Sequence, residues 1–314
     1  MGRLGPVELT TSYQTISFLK RRLAEVGVRL KGQHGQNFLT DLNLLRLLAE
    51  TADLSPDDVV LEVGTGTGAL TTLIAERVAA VVTVEIDPQL HQLASEELID
   101  FDNVTQLQQD ALESKHTLDP AMMATVAARL AEKPGRRFKF VANLPYSVAT
   151  PLIANLLAGS LVPEAMTITI QRELAERIVA QPGTKDYGAL SVWVQSQCQV
   201  RLVRLMPPDA FWPRPKVTSA IVQIRLDPLR REQIADRDFF HAFVRTLFLH
   251  RRKSLRAAIL SGWRSSLDKP AVDAILARVG LESSVRAEQL DVEALLRLSD
   301  ALRAEVEQVG MRGT

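Results

Sequence analysis

Short apolar runs alternate with amphipathic stretches through the first two thirds of the chain. Val59 to Val63 predicts a strand, and Leu70, Leu73, Ile74 and Val78 then fall on one helical face. Val81 to Val84 predicts a second strand, ending at Glu85-Ile86-Asp87; Pro88 to Leu98 predicts a helix and Val104 to Leu107 a third strand. A polar, Ala-rich connection over 112–136 contains a helix-like segment, Pro120 to Ala131. Phe138, Phe140 and Val141 lead to a strand end at Asn143. Thr150 to Leu157 and Glu173 to Val179 then read as helices, and Met166 to Ile170, Leu190 to Val203 and Ala220 to Leu226 as strands. Strands interleaved with helices predict an α/β fold built of βαβ units. From about residue 229 the pattern is helical only, and Phe239, Phe240, Phe243, Leu247 and Phe248 form a core stripe. Asp227-Pro228 marks a boundary. Tyr13 to Val26 predicts an N-terminal helix. The division is a helical extension over residues 1–30, an α/β domain over 31–228 and a helical domain over 229–314.

Composition narrows the function classes. The chain has 314 residues, enough for one large domain and a smaller one. Lys+Arg and Asp+Glu are both 37, so a nucleic-acid partner must be met by a local patch rather than by global charge. The single cysteine, Cys198, rules out an internal disulfide framework or a cysteine-rich zinc cluster, and no metal site is expected. A reducing, cytoplasmic setting fits. No apolar run is long enough for a membrane span, and the N-terminus has no signal-peptide core.

Two stretches carry candidate chemistry. The first is the turn after Val63, Gly64-Thr65-Gly66-Thr67-Gly68, with Glu62 just before it. Such a turn lets backbone approach a ligand at the carboxyl edge of a sheet. Its Gly-x-Gly-x-Gly spacing differs from the dinucleotide fingerprint, which favours an adenosyl ligand without phosphates, S-adenosylmethionine, over a nicotinamide cofactor. Glu85, at the second strand end, can accept from both ribose hydroxyls, and Asp110, after the third strand, from an adenine amine. The second stretch is Val141 to Ser147. It places an amide side chain on Asn143, an extended Leu144 with a fixed carbonyl, the rigid Pro145 and the flat ring of Tyr146 within four residues. An exocyclic amine on a planar base needs such a set. A strand end followed by a proline turn is the plainer alternative.

Three further segments are candidates of lower information. Residues 31–40 form an amide-rich loop with His34, and Asp41 reads as the N-cap of the next helix. Residues 181–188 and the proline-stiffened segment 211–219 read as loops. His250-Arg251-Arg252-Lys253-Ser254-Leu255-Arg256 is a dense basic cluster, read on a packed helix as either a phosphate-binding site or a solvated face.

Taken in order, several of these segments resemble one family. They are Gln36-Asn37-Phe38-Leu39, Glu62 to Gly68, Asn143-Leu144-Pro145-Tyr146, Lys185-Asp186-Tyr187-Gly188, the Phe211-x-Pro-x-Pro-x-Val-x-Ser219 segment and the 251–256 cluster. The set is similar to the KsgA-type ribosomal RNA adenine dimethyltransferases. The resemblance implies a Rossmann-like methyltransferase domain with a seven-stranded, mostly parallel sheet, and a small helical C-terminal domain. It implies cofactor contacts at Asn37, Leu39, Gly64, Glu85, Asp110 and Asn143. It also implies dimethylation of two adjacent adenosines near the 3′ end of small-subunit (16S) rRNA, with a role in small-subunit biogenesis. Asn143, Leu144, Pro145, Tyr146 and Phe211 are then the catalytic set. Arg251, Arg252, Lys253 and Arg256 are the RNA contacts, the small ribosomal subunit is the partner and the protein acts as a monomer. His34, Arg214 and a longer connection between Asp110 and Asn143 depart from the pattern, and the connection is expected to set an inserted helix beside the site. Three rival readings are a large-subunit dimethylase of the macrolide-resistance type, an assembly or RNA-binding factor with dispensable catalysis, and a DNA adenine methyltransferase.

Overall fold

A computed structural model describes residues 16–25, 27 and 37–312. The expectations for Tyr13 to Thr15, Val26, the loop over 31–36, His34 and Gln36 lie outside the described residues.

In chain order the elements are α1 (Ile16–Glu25), β1 (Phe38–Leu39), α2 (Leu42–Thr51), β2 (Asp58–Val63), α3 (Ala69–Ala75), β3 (Ala80–Glu85), α4 (Pro88–Glu97) and β4 (Val104–Gln108). There follow β5 (Leu112–Ser114), β6 (Thr117–Leu118), α5 (Pro120–Ala131), β7 (Arg137–Asn143), α6 (Ala149–Ala158), β8 (Ala165–Gln171), α7 (Arg172–Val179), α8 (Ala189–Gln195) and β9 (Cys198–Met206). The chain closes with β10 (Phe211–Trp212), β11 (Ser219–Leu226), α9 (Pro228–Glu232), α10 (Arg237–Leu249), α11 (Leu255–Gly262), α12 (Lys269–Arg278) and α13 (Val292–Arg312).

Two compact units result. The first comprises residues 1–172 and 202–223, the second 173–201 and 224–314. The helices α7 and α8 thus belong with the C-terminal helices rather than with the α/β unit that precedes them in sequence.

A seven-stranded sheet runs in the order β4-β3-β2-β7-β8-β11-β9. The pairs β2–β3, β2–β7, β3–β4 and β7–β8 are parallel. Every residue of β2 and β3 is buried, as expected for central strands covered on both faces. The chain leaves β2 towards β3 and β4 on one side, and later takes β7 and β8 on the other. The crevice outside the carboxyl ends of β2 and β7 is therefore the switch point at which such sheets bind ligands. Asp58, wholly buried, accepts from Arg137 Nε and Lys139 Nζ, each at 2.9 Å. This ion cluster, centred on a buried carboxylate, fixes β2 against β7 at their amino ends, and the register carries through Leu61 opposite Phe140.

Caps explain several boundaries. Asp41, Asp87 and Asp119 accept from the first-turn N–H groups of α2, α4 and α5. The connection over 112–136 differs from the expected inserted helix. Its helix α5 buries Met122 and Val126 and packs against β2, β3 and β7, so it is a sheet-covering crossover. The hairpin β5–β6 precedes that helix, and Asp119 N–H ties its far end to the Ala111 carbonyl at 3.0 Å.

The strand expected over Leu190 to Val203 is instead α8 followed by β9. Gly188 N–H donates to Ser191 Oγ, and Ser191 Oγ donates to the Arg177 carbonyl at 2.6 Å, which starts a helix. Ser191, Val192, Trp193 and Val194 are all buried, so no polar face revealed the helical period. Trp193 stacks on His241 with centroids 4.4 Å apart, and Phe240, Phe243, Val244 and Leu247 of α10 complete that core.

Candidate active site and basic surface

A cavity of about 330 Å³ opens at the switch point, a size typical of small-molecule sites. Its walls include Asn37, Phe38, Gly64, Gly66, Glu85, Ile86, Asp110, Asn143, Leu144, Pro145, Tyr146 and Phe211. The structure thus brings together every residue expected to be catalytic or cofactor-contacting except Leu39. Leu39 is buried in the core and pairs in β1 with Phe211 of β10. Its place beneath the wall follows from that pairing.

The glycine turn is conformationally demanding. Gly64 and Gly66 have φ of +86° and +57°. A Cβ on Gly64 would sit 3.3 Å from the Pro145 ring, and one on Gly66 3.3 Å from the Phe38 ring. Glycine here brings the β2 turn against the Asn-Leu-Pro-Tyr loop and against β1.

Glu85 holds the turn from the next strand. One carboxylate oxygen accepts from Gly66 N–H at 2.9 Å and the other from Asp87 N–H at 3.0 Å. Burial pushes this carboxyl above its usual range, and the two backbone donors offset part of that rise. Beside it Ile86 is half exposed and lines the cavity, an apolar surface between two acids that the sequence reading passed over. Asp110 is exposed, and one of its oxygens accepts from Leu112 N–H. Gln109 donates to Asp119 at 2.5 Å, so the start of α5 steadies this rim.

Behind the turn lies a network that the sequence reading did not assign. Glu62 is buried and accepts from Thr71 Oγ1 at 2.6 Å and Thr83 Oγ1 at 2.8 Å; Thr83 and Thr65 hydroxyls meet at 2.6 Å. Burial pushes the Glu62 carboxyl up to about 8 despite the two hydroxyls. The three threonines come from α3, β3 and the turn itself, and no short motif joins them.

At the opposite wall Asn143 ends β7. Its amide Nδ2 donates to the Asn37 carbonyl at 3.1 Å. That bond sets the flip of the amide, which leaves Oδ1 as the group the side chain can offer as acceptor. Leu144 N–H donates to the Thr169 carbonyl at 3.2 Å, and Val148 N–H to the Pro145 carbonyl, so the loop is pinned at both ends. Tyr146 is half buried, and its hydroxyl meets Ser219 Oγ at 2.6 Å. Phe211 is 2% exposed, so its ring forms a fixed wall rather than a mobile flap.

The basic cluster lies in the second unit and differs from the helix expected for it. Residues 251–253 form the turn between α10 and α11, because His250 closes α10 and Ser254 caps α11. Arg251 is internally engaged: Nε donates to Glu288 at 2.5 Å and Nη2 to the Lys185 carbonyl at 3.0 Å. Gly183 N–H also donates to the Glu288 carbonyl at 2.7 Å, which ties the 181–188 loop to this turn. Arg256 pairs with Asp273. Arg252 and Lys253 are exposed, without an ion-pair partner among the described residues. Lys185, Arg251, Arg252, Arg286 and Glu288 line a common cavity. Lys185 stood in a quoted motif; nothing in the sequence singled out Arg286. In α1, Arg22 pairs with Glu96 and Glu25, and Lys20 lies over the Trp212 ring. Among the described residues no cluster of side chains could hold a metal ion, and no helix is long and apolar enough to cross a membrane.

The family model described as ribosomal RNA adenine dimethylase matches residues 27–303. The chain is 38% identical to a ribosomal RNA small subunit methyltransferase A from Lactiplantibacillus plantarum, over 88% of this chain and 91% of that one. A protein of the same name from Streptococcus gordonii is also 38% identical, over 89% and 94%. The crystal structure of a dimethyladenosine transferase from Plasmodium falciparum has the same fold, with a TM-score of 0.68, 23% identity and coverage of 85% and 96%. That of the 23S rRNA methyltransferase ErmE aligns with a TM-score of 0.58 at 27% identity, covering 85% and 100%.

Proposed function

The chain belongs to the ribosomal RNA adenine dimethylase family, and from that premise we propose that it dimethylates the 6-amino groups of two adjacent adenosines near the 3′ end of small-subunit rRNA. The observation that carries this reading is the Asn143 amide, locked by the Asn37 carbonyl on the wall that also carries the Tyr146 ring.

The cavity suits S-adenosylmethionine. Glu85 is held by two backbone donors with lone pairs to spare for a ribose diol, Ile86 offers a flat apolar face to a purine, and Asp110 has an acceptor for its amine. Asn37, Gly64 and Asn143 complete the contact set, and Leu39 supports it from the core. When bound, this cofactor supplies an electrophilic methyl group.

The chain's own residues prepare the other reactant. An adenine amine is a weak nucleophile because its lone pair is delocalised into the ring. Acceptance of its two N–H groups by Asn143 Oδ1 and the Leu144 carbonyl favours a pyramidal nitrogen and frees that pair. Tyr146 stacks on the flipped base, Pro145 stiffens the loop and Phe211 bounds the far side. No strong base is required, since the alkylated nitrogen readily gives up its proton to water. The rate comes from positioning and exclusion of water.

Glu85→Ala removes the diol acceptor and is expected to weaken cofactor binding by roughly 1.5–3 kcal/mol. Because burial raises the Glu85 pKa, affinity should also fall as pH drops through that raised value. Titration calorimetry at several pH values checks both, and unchanged affinity in the variant removes Glu85 from the site.

For the RNA, the arrangement supports phosphate contacts by Arg252 and Lys253, joined by Lys185 and Arg286, with Arg251 and Arg256 holding the surface together. Alanine at Lys185, Arg252 or Arg286 should reduce the slope of log affinity against log salt by about one each. Arg251→Ala should instead lower the melting temperature. An unaltered salt slope would leave the cluster as a solvated face.

Purified protein with labelled cofactor should methylate unmethylated small subunits and leave large subunits and DNA unlabelled. Label in the large subunit would favour the activity named for ErmE instead.

A further inference from the structure

We propose that Ser219 is a positioning residue for methyl transfer: its hydroxyl, bonded to the Tyr146 phenol, holds the Tyr146 ring in the attitude in which a target base stacks on it. The inference rests on the stacking role given to Tyr146 above. Tyr146 lies in the loop between β7 and α6, next to the exposed Ser147, and its ring is only half buried. A ring so placed is free to swing about its side-chain torsions unless its far end is fixed. Ser219 fixes that end. It is the first residue of β11, wholly buried, and its oxygen lies 2.6 Å from the phenol oxygen, at the short end for a hydroxyl pair. Ser219 is itself well placed, because the preceding Thr218 carbonyl accepts from Arg172 N–H at 2.9 Å.

The pin explains an otherwise odd pairing of segments. Residues 211–219 supply both the Phe211 wall of the cavity and, eight residues on, the hydroxyl that steadies the opposing ring. Burial also pushes the phenol above its ordinary range, so it stays neutral and able to donate.

The test is a double-mutant cycle read by single-turnover methyl transfer to unmethylated small subunits, with cofactor affinity and melting temperature measured in parallel. Ser219→Ala should slow transfer about five- to tenfold with cofactor affinity unchanged, and Tyr146→Phe should slow it equally. In the Tyr146→Phe background, Ser219→Ala should add less than about twofold. A merely structural role for Ser219 would slow both backgrounds alike, and that result overturns the proposal, as does a native rate in Ser219→Ala. Tyr146→Ala separates the two levels. Lost turnover there with unslowed Ser219→Ala overturns the pin alone, whereas a native rate in Tyr146→Ala overturns the stacking role and the pin with it. Should Ser219→Ala fail to fold, a native rate in Tyr146→Phe overturns the proposal by itself.

Discussion

Asn143→Ala is expected to slow single-turnover methyl transfer by at least about a hundredfold, near the loss seen when one preorganised polar group is removed from an active site. The side chain has one donor in use, to the Asn37 carbonyl, and an acceptor left for the substrate. Alanine removes both, while the Leu144 carbonyl remains on the pinned loop. RNA affinity should barely change, because the phosphate contacts proposed for Lys185, Arg252, Lys253 and Arg286 lie outside the residues that line this cavity. Asn143→Asp is the informative companion. It keeps an acceptor but sets a carboxylate oxygen against the Asn37 carbonyl, where the amide had donated. Partial activity with altered cofactor affinity is expected. Quench-flow time courses at saturating cofactor measure both variants, and a near-native rate in Asn143→Ala would reduce Asn143 to a strand-end cap.

The second large effect concerns stability and pH. Glu62 is pushed up to about 8 in the folded chain, against an ordinary value of 4.5, chiefly by burial. Between those values the native state keeps a proton that the unfolded chain has lost. Stability from this group is therefore full below about pH 4.5, declines as pH rises, and is gone above the folded value. The whole span is worth up to roughly 4–5 kcal/mol. Glu62→Gln preserves the shape and an acceptor for Thr71 and Thr83 but cannot ionise. It should match the native protein near pH 5 and exceed it near pH 9. Urea unfolding across that range checks the sign, and a constant difference between the two proteins would mean that Glu62 titrates normally.

The Glu62 network also shows where sequence reading stops. Local order was legible: the βαβ periodicity, the glycine turn, the Asp41 cap and the Asn-Leu-Pro-Tyr loop each show themselves within a few residues. The family resemblance set the right sheet and drew Asn37, Gly64, Glu85, Asp110 and Asn143 to one place, and those residues do line one cavity. What escaped were partners far apart in the chain. Asn37 with Asn143, Tyr146 with Ser219, and Arg251 with Lys185 and Glu288 are all made by tertiary packing, which leaves no period in the sequence. The helix α8 escaped for another reason, since burial of Ser191 to Val194 left no polar face to mark the period. The turn at 251–253 is hidden in the sequence because Ser254, which caps the next helix, stands inside a continuous charged run.

Transfer of two methyl groups to an adenine amine of small-subunit rRNA is the activity proposed for this cavity. Its most direct test is mass spectrometry of nucleosides and mapped fragments from unmethylated small subunits treated with the purified protein and S-adenosylmethionine. N6,N6-dimethyladenosine is expected at two neighbouring adenosines near the 3′ end, with none formed by Asn143→Ala in the same time. Methyl groups on another base or another atom, or equal product from Asn143→Ala, would contradict it.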